Sequence, residues 1–355
     1  MSALFEPLTL RGTRFENRVW IAPMCQYSVE ARDGVPTDWH LVHLVSLARG
    51  GAGLVVVEAT AVSAEGRISP EDTGIWDGAQ QAAWTRIVDA AHATGALMGV
   101  QLAHAGRKAS VFRPWDERRG TVPEADGGWR AVAPSAIAFP GYAVPDALDA
   151  AGVRRVVEDF RAATRRAVAA GFDVLEVHAA HGYLLHEFLS PLSNRRDDEW
   201  GGSLPNRARL LLDVVRAVRA EAGQRPVVVR FSGTDWAADG WTIEDTVAVA
   251  GWCADAGADL FDVSSGGNVL ADVPTGPGYQ VPLAAAVRAA GHRVGAVGLI
   301  TDPYQAEAVL ADGSADVVSV ARPALRNPHL PLEWAEALDG AAPWPRQYER
   351  AALPR

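Results

Sequence analysis

Seven times along the chain, an alanine-rich stretch ends at a glycine and runs into a short apolar segment. The unit reads ARGGAGLVVVE (48–58), ATGALMGVQ (93–101), AAGFDVLEVH (169–178) and EAGQRPVVVR (221–230). It returns as DAGADLFDVS (255–264), AAGHRVGAVG (289–298) and ADGSADVVSVA (311–321). A glycine just past a helix takes the left-handed conformation with no Cβ penalty. Valine-rich runs without strict alternation suit strands covered on both faces. With the opening run 19–24 the count reaches eight strands, each followed by a helix. That pattern predicts an α/β fold, a (β/α)8 TIM barrel, although eight strands in a doubly wound sheet read alike. At 355 residues, 48% hydrophobic and 21% charged, the chain can close such a barrel as one domain, 1–355.

Helix starts agree with the count. Thr37 precedes WHLVHLVSLA, Thr242 precedes IEDTVAVAGW, and Asp302 with Pro303 opens YQAEAVLADG. Ser203 is expected to cap a helix whose apolar face is Leu210, Leu211, Val214, Val215 and Val218. Only the third strand is followed by a long gap. Residues 107–149 are rich in Trp, Pro, Gly and charge without periodicity, and in a barrel they leave from the end that carries the site. This excursion is expected to be a lid.

The formal charge of −10 argues against nucleic acid as a partner. Lys108 is the only lysine, and two cysteines, Cys25 and Cys253, point to a reducing compartment rather than a disulfide framework. The N-terminal stretch lacks the marks of a secretion signal. No run approaches the roughly 18 apolar residues of a membrane span. The expectation is a soluble, cytoplasmic protein with no membrane partner.

Chemistry in such barrels sits where the strands end. The first strand ends in Ala22, Pro23, Met24 and Cys25, with Tyr27 close behind. The second ends in Glu58 and Ala59, the third in Gln101, the fourth in His178 and the fifth in Arg230. The sixth ends in Ser264-Ser265-Gly266-Gly267, the seventh in Gly298, and the eighth in Ala321 and Arg322. Small residues let a flat ring system lie down, Gln101 can donate and accept at the polar edge of such a ring, and Arg230 can stabilise negative charge on it. Glycines and an arginine after the last two strands suit a phosphate. After the fourth strand, His181 and Tyr183 follow His178 within five residues, a set able to hold a carbonyl oxygen and deliver a proton. Taken singly, each residue has an ordinary structural reading; together they fit one flat, phosphorylated cofactor.

The run HAAHGYLLHEFLSPLSN, with PMCQYS (23–28), VEATAV (57–62), GRISPEDTGIW (66–76), QLAHAGRKAS (101–110), APSAIAF (133–139), GGSLPNR, AVGLIT and the terminal QYER, closely resembles the old yellow enzyme family of FMN-dependent ene-reductases. The pair Cys25 and Tyr27, with Arg350 near the end, is similar to its bacterial, thermophilic-type subgroup. The resemblance implies that Ala22, Pro23, Met24, Cys25, Ala59, Gln101, Arg230, Gly298, Ala321 and Arg322 contact non-covalently bound FMN. NADPH, or NADH, is implied as the hydride donor, and an activated alkene as the acceptor. By the same resemblance His178 and His181 hold the substrate oxygen with help from Tyr27, and Tyr183 is the proton donor. Cys25 would tune the flavin through sulfur contacts. Arg350, in a 340–355 tail at a subunit interface, would reach a neighbour's pocket in a homodimer or a dimer-of-dimers tetramer. The chain departs from shorter subgroup members by an insertion at 111–131, and Ala321 stands where glycine is common.

Two other classes stay in view. A metal-dependent barrel hydrolase or aldolase would use His178 and His181 as ligands, but it needs further carboxylate or imidazole ligands at neighbouring strand ends. A non-catalytic flavin sensor would need no acid at Tyr183.

Overall fold

The computed structural model describes residues 2–352. Eight strands close a barrel in chain order: β1 Val19–Ile21, β2 Leu54–Ala61, β3 Met98–Ala103, β4 Val174–Ala179, β5 Val227–Ser232, β6 Leu260–Ser264, β7 Val294–Ala296 and β8 Val317–Val320. Every neighbouring pair is parallel, including β8 with β1. The chain forms the (β/α)8 barrel its repeat predicts, and the doubly wound alternative falls away.

Crossovers are made by α1 Asp38–Ala48, α2 Gly78–His92, α3 Ala150–Ala170, α4 Leu184–Leu189, α5 Leu204–Ala222, α6 Ile243–Asp255, α7 Val281–Ala289 and α8 Pro303–Ala311. Then α9 Arg322–Arg326 and α10 Leu330–Ala337 follow the last strand. Three of the expected starts hold. Thr242 accepts from the Asp245 N–H, Asp302 accepts from the Gln305 N–H, and His40 turns back onto the Thr37 N–H at 2.9 Å. The fourth is corrected: α5 starts after Ser203, but that side chain makes no capping bond, and Pro205 in the first turn removes one N–H that needed a partner.

The period of two decides which strand residues fill the barrel. On β4, Leu175, Val177 and Ala179 pack outward under the helices, while Val174, Glu176 and His178 point inward. The lowest interior layer is apolar, built from Trp20, Leu54, Val56, Val174, Val228, Leu260 and Val317. An antiparallel hairpin, Leu8–Leu10 with Thr13–Phe15, plugs that end with Leu8, Leu10 and Phe15. It precedes the repeat and was not foreseen.

Strand ends also shift from their expected places. The ladder continues two residues past Gln101 and Arg230, one past His178, and on to Ala61 in β2. The β2–β3 register slips between Val57 and Ala59. Conversely β1 stops at Ile21, although the Ala22 N–H still bonds to the Val320 carbonyl at 2.9 Å. Gln101 and Arg230 therefore sit inside the barrel rather than on its rim.

The excursion after β3 is folded. It holds a short turn at Glu124–Asp126 and a two-residue parallel pair, Val132–Ala133 with Asp146–Ala147. Val111, Val122, Ala131 and Ala133 are buried. Trp129 fixes it to the barrel, its ring N–H reaching the Glu65 carbonyl at 2.9 Å. Among the described residues no helix is long and apolar enough to cross a membrane.

Candidate active site

The turn that leaves β4 carries the side chains of interest, and its shape depends on two glycines. His181 has φ +59° and Gly182 φ +70°. A Cβ on Gly182 would lie 2.3 Å from the Gly267 carbonyl oxygen, and one on Gly267 would lie 2.7 Å from His181 Cα. The turn can therefore press against the loop after β6 only where both partners lack side chains. Ser232 Oγ accepts from the His181 N–H at 2.9 Å, and His186 Nδ1 accepts from the Gly182 N–H at 3.0 Å. That assigns the His186 proton to Nε2, which faces Asp235 at 3.1 Å. Asp235 also accepts from Ser190 Oγ at 2.6 Å and from the Trp241 N–H at 3.0 Å. Burial pushes its carboxyl up, but the bonds from His186, Ser190 and Trp241 outweigh that and hold it at about 2.

On this turn three rings meet edge to face. His178 lies 5.0 Å from Tyr183 and 5.2 Å from His181, with interplanar angles of 78° and 86°. Burial, then the Arg230 charge, pushes both imidazoles well below their ordinary range, so both are neutral near pH 7. Burial holds the Tyr183 phenol well above its ordinary range, so it keeps its proton. His178 Nδ1 is buried with no hydrogen-bond partner, while His181 Nε2 meets Ser264 Oγ at 2.8 Å.

Lys108 closes one side. Its ammonium donates to the carbonyls of His181 (2.8 Å) and Gly267 (3.0 Å) and lies 5.1 Å from the centre of the Tyr183 ring. Burial lowers it to about 8, which still leaves it charged at pH 7. On another side Tyr27, at φ +47°, meets Trp115 of the insertion edge-on at 5.8 Å. Arg113 of the insertion donates to the Tyr27 carbonyl at 3.3 Å. Cys25 packs with Tyr27, Tyr183 and Ala59, and burial pushes its thiol well up, so it is not a thiolate.

Inside the mouth, Gln101 Nε2 donates to Glu176 Oε1 at 2.6 Å, and Arg230 Nε stands 3.1 Å from Asp262 Oδ2. Ala22 and Ala59 are buried, and Pro23, Met24 and Cys25 are half-buried around them. Gly298 (φ +118°), Ala321 and Arg322 line a cavity of about 250 Å³ with Gln280, Ser319 and Arg326. FMN fits this set. A small-residue bed leads to a buried amide whose carbonyl is uncommitted, and a buried guanidinium follows, paired through Nε with Asp262. Beyond them the cavity offers two arginines to a phosphate.

The expected residues thus gather at one end of the barrel, with one exception. Arg350 lies in a short helical turn, Arg346–Ala351, whose Tyr348 hydroxyl accepts from Arg49 at 3.2 Å and packs on His329. Arg49 follows α1 and leads into the start of β2, so the tail docks at the opposite end from this chain's own site. The last three residues of the 340–355 tail lie outside the described residues. Lys108, Glu176, His186, Asp235, Gln280 and Arg326 were not singled out by the sequence. Glu176 carries a signal, two residues before His178 on the same strand face; Lys108 carries another as the sole lysine. Among the described residues no group of three or more His, Cys, Asp or Glu is arranged to hold a metal ion.

The chain is similar to known proteins along nearly its whole length. The family model described as "NADH:flavin oxidoreductase / NADH oxidase family" matches residues 3–339. An NADPH dehydrogenase of Listeria innocua is 47% identical over 353 residues, 99% of each chain. Morphinone reductase superposes with a TM-score of 0.79 at 32% identity, over 96% of this chain and 91% of that one. An old yellow enzyme homologue from Zymomonas mobilis gives 0.79 at 31% identity, over 96% and 94%.

Proposed function

Given that the chain belongs to the NADH:flavin oxidoreductase / NADH oxidase family, we propose that it is an ene-reductase acting on activated C=C bonds of α,β-unsaturated carbonyl or nitro compounds. It is an FMN-dependent oxidoreductase that draws electrons from a nicotinamide; the substrate class and the part played by each residue are our reading. The chemistry supplied by bound FMN is hydride storage between that donor and the alkene.

One observation carries the proposal. Two neutral imidazoles and a protonated phenol meet edge to face at the end of β4, His178 buried and His181 and Tyr183 half-buried, above a bed suited to a flat ring. His178 has an unpartnered ring nitrogen to offer a substrate oxygen, and His181 offers its Nε2 by giving up or sharing Ser264. Tyr27 borders the same space. Such bonds strengthen as charge builds on the oxygen and so draw density from the β-carbon. Tyr183 then delivers its proton to the α-carbon. The phenolate left behind has the Lys108 ammonium over its ring face to stabilise it. Gln101, Arg230, Arg322 and the backbone near Ala22, Cys25, Ala59, Gly298 and Ala321 hold FMN without a covalent bond. Burial keeps the Cys25 thiol neutral, which suits a packing contact that tunes the cofactor rather than a nucleophile. The insertion, through Trp115 and Arg113, roofs Tyr27 and limits which substrates enter.

Arg350 cannot serve its own pocket from where it lies, so its role at the site is in a neighbouring subunit. An exposed apolar face, Trp39, Val42 and Leu325 on α1 and α9, supports a homo-oligomer built from dimers.

The reading is tested by mixing anaerobically reduced enzyme with 2-cyclohexenone and a nitroalkene. Saturated ketone or nitroalkane in step with cofactor reoxidation is the expected result. Reoxidation by dioxygen alone, with every alkene recovered intact, would end it.

A further inference from the structure

Four polar side chains on adjacent strands form a layer beneath the three rings: Gln101 on β3, Glu176 on β4, Arg230 on β5 and Asp262 on β6. All four are more than nine-tenths buried. Beneath them Val174, Val228 and Leu260 close the barrel with apolar groups. On β7 the neighbour is Gly295, where an added Cβ would stand 3.4 Å from Asp262 Oδ1. The layer therefore holds two carboxylates and one guanidinium, with no second cation among them. A buried negative charge without compensation takes up a proton.

The two carboxylates are not equivalent. Asp262 has the Arg230 guanidinium at 3.1 Å, whereas the one hydrogen-bond partner of Glu176 is the neutral Gln101 amide. Among the described residues the charges acting on Glu176 are Asp262, from β6, and Arg230, from β5. Gln101 on β3 is neutral, as is His178 on the same strand. Burial, then Asp262, raises the Glu176 carboxyl to about 7 against the pull of Arg230. Asp262 is also raised by burial, with Arg230 opposing.

We propose that Glu176 is a proton-accepting positioning residue: it sets which end of the Gln101 amide faces FMN and binds a proton when the cofactor gains negative charge. As a carboxylate it can only accept, so it takes the Gln101 N–H, as seen, and leaves the amide carbonyl for the imide N–H of a flavin ring. Once protonated, its O–H donates to that carbonyl and turns the amide N–H groups towards the pocket, where an anionic ring edge needs donors. The balance is simple. Hydride from the nicotinamide brings two electrons, one proton and one negative charge to the cofactor. A proton from solvent then forms an O–H bond on Glu176, and the charge of the buried region is unchanged. This inference rests on FMN and a nicotinamide donor, not on which alkene is reduced.

The test uses FMN-loaded enzyme, read by reduced-minus-oxidised infrared spectra and by the midpoint potential between about pH 6 and pH 8. Reduction of wild type should create a protonated-carboxyl band that Glu176→Gln lacks and Asp262→Asn keeps. The slope of potential against pH should fall in Glu176→Gln by one proton per two electrons. Should Glu176→Gln fail to hold FMN, Asp262→Asn still decides. Removing that negative neighbour should move the change of slope to lower pH, and an unmoved break refutes the proposal. It is also overturned by a wild-type spectrum without the band, by a band that survives Glu176→Gln, or by identical slopes.

Discussion

Where its strands begin, the barrel is filled by Trp20, Leu54, Val56, Val174, Val228, Leu260 and Val317 and stoppered by Leu8, Leu10 and Phe15. Where they finish, the same inward positions hold Gln101, Glu176, His178, Arg230 and Asp262, nearly as deeply buried. Backbone, register and period are shared; only the side chains differ. The first end removes hydrocarbon from water, the main favourable term in folding. The second keeps polar atoms out of water, and two of them, His178 Nδ1 and Asp262 Oδ1, have no hydrogen-bond partner among the described residues. Each such atom costs about 1–3 kcal/mol, a cost a fold can bear where a ligand supplies the missing partner. One end thus stabilises the chain and the other awaits company.

The largest expected effect tests the polar end. Arg230→Ala strands Asp262 without its cation, a change of the kind that costs about 3–5 kcal/mol, and it removes the guanidinium assigned to the cofactor. Flavin absorbance per protein should collapse and the melting temperature should drop. Full FMN occupancy with an unchanged melt would erase the distinction between the two ends. The matching cut at the apolar end is Phe15→Ala, expected to cost about 3–5 kcal/mol through transfer and cavity terms. Here the melting temperature falls, but FMN content and ligand affinity at ambient temperature stay at wild-type values. A large change in either would mean that the hairpin shapes the site.

Next come the rings. Tyr183→Phe should slow alkene-dependent reoxidation by roughly 10²–10⁴-fold, as for loss of a general acid, and leave reduction by NADPH untouched. A slowed reductive half with an intact oxidative half contradicts the assignment. His178→Ala and His181→Ala should each weaken a phenolic ligand by about tenfold or more, corresponding to a lost hydrogen bond of about 1.4 kcal/mol or more. Both imidazoles are shifted downward, so they are neutral above their depressed values and charge only as pH falls through them. The imidazoles should thus add no break to phenol affinity between about pH 6 and pH 8, where Glu176 and Lys108 are the neighbouring groups that change charge. A break near the ordinary histidine value that survives Glu176→Gln would show that the rings are more solvated than the geometry implies.

Much of this contrast was legible beforehand. The glycine-terminated repeat gave the eight strand–helix units, and left their closure into a barrel to the structure, because each unit is local: a helix end, a left-handed glycine and a buried strand. His178, His181 and Tyr183 were legible because four residues of turn keep them together whatever the rest does. What was missed depends on distance in sequence. The pairing of His186 with Asp235, 49 residues on, exists only once β5 lies beside β4. Nothing local to Lys108 marks its place at the site, because its acceptors, the carbonyls of His181 and Gly267, are 73 and 159 residues away. The plugging hairpin was invisible for another reason. Its two strands have three residues each, too short for a period to register. Strand ends slipped by one to three residues because ladder length is set by the neighbouring strand.

The smallest expected effect concerns Arg350, and it extends the comparison of the two ends beyond one subunit. Tyr348 anchors the tail to Arg49 and His329 at the end where the strands begin. Within one chain the length of the barrel separates Arg350 from the rings. Only a second copy, apposed so that its strand-finishing end meets this tail, could bring the guanidinium to a substrate. Trp39, Val42 and Leu325 offer the apolar face such an assembly would bury. An exposed cation contacting a neutral enone adds about 0.5–1.5 kcal/mol through one hydrogen bond, so Arg350→Ala should raise the enone KM by roughly two- to tenfold. FMN content, kcat and the reductive half-reaction should not move. Sedimentation of the same samples supplies the control: the KM effect should appear only at protein concentrations where wild type is oligomeric. A fully active monomer, or an oligomer in which Arg350→Ala keeps the wild-type KM, would leave the tail as a fastening at the barrel's apolar end and confine the site to one subunit.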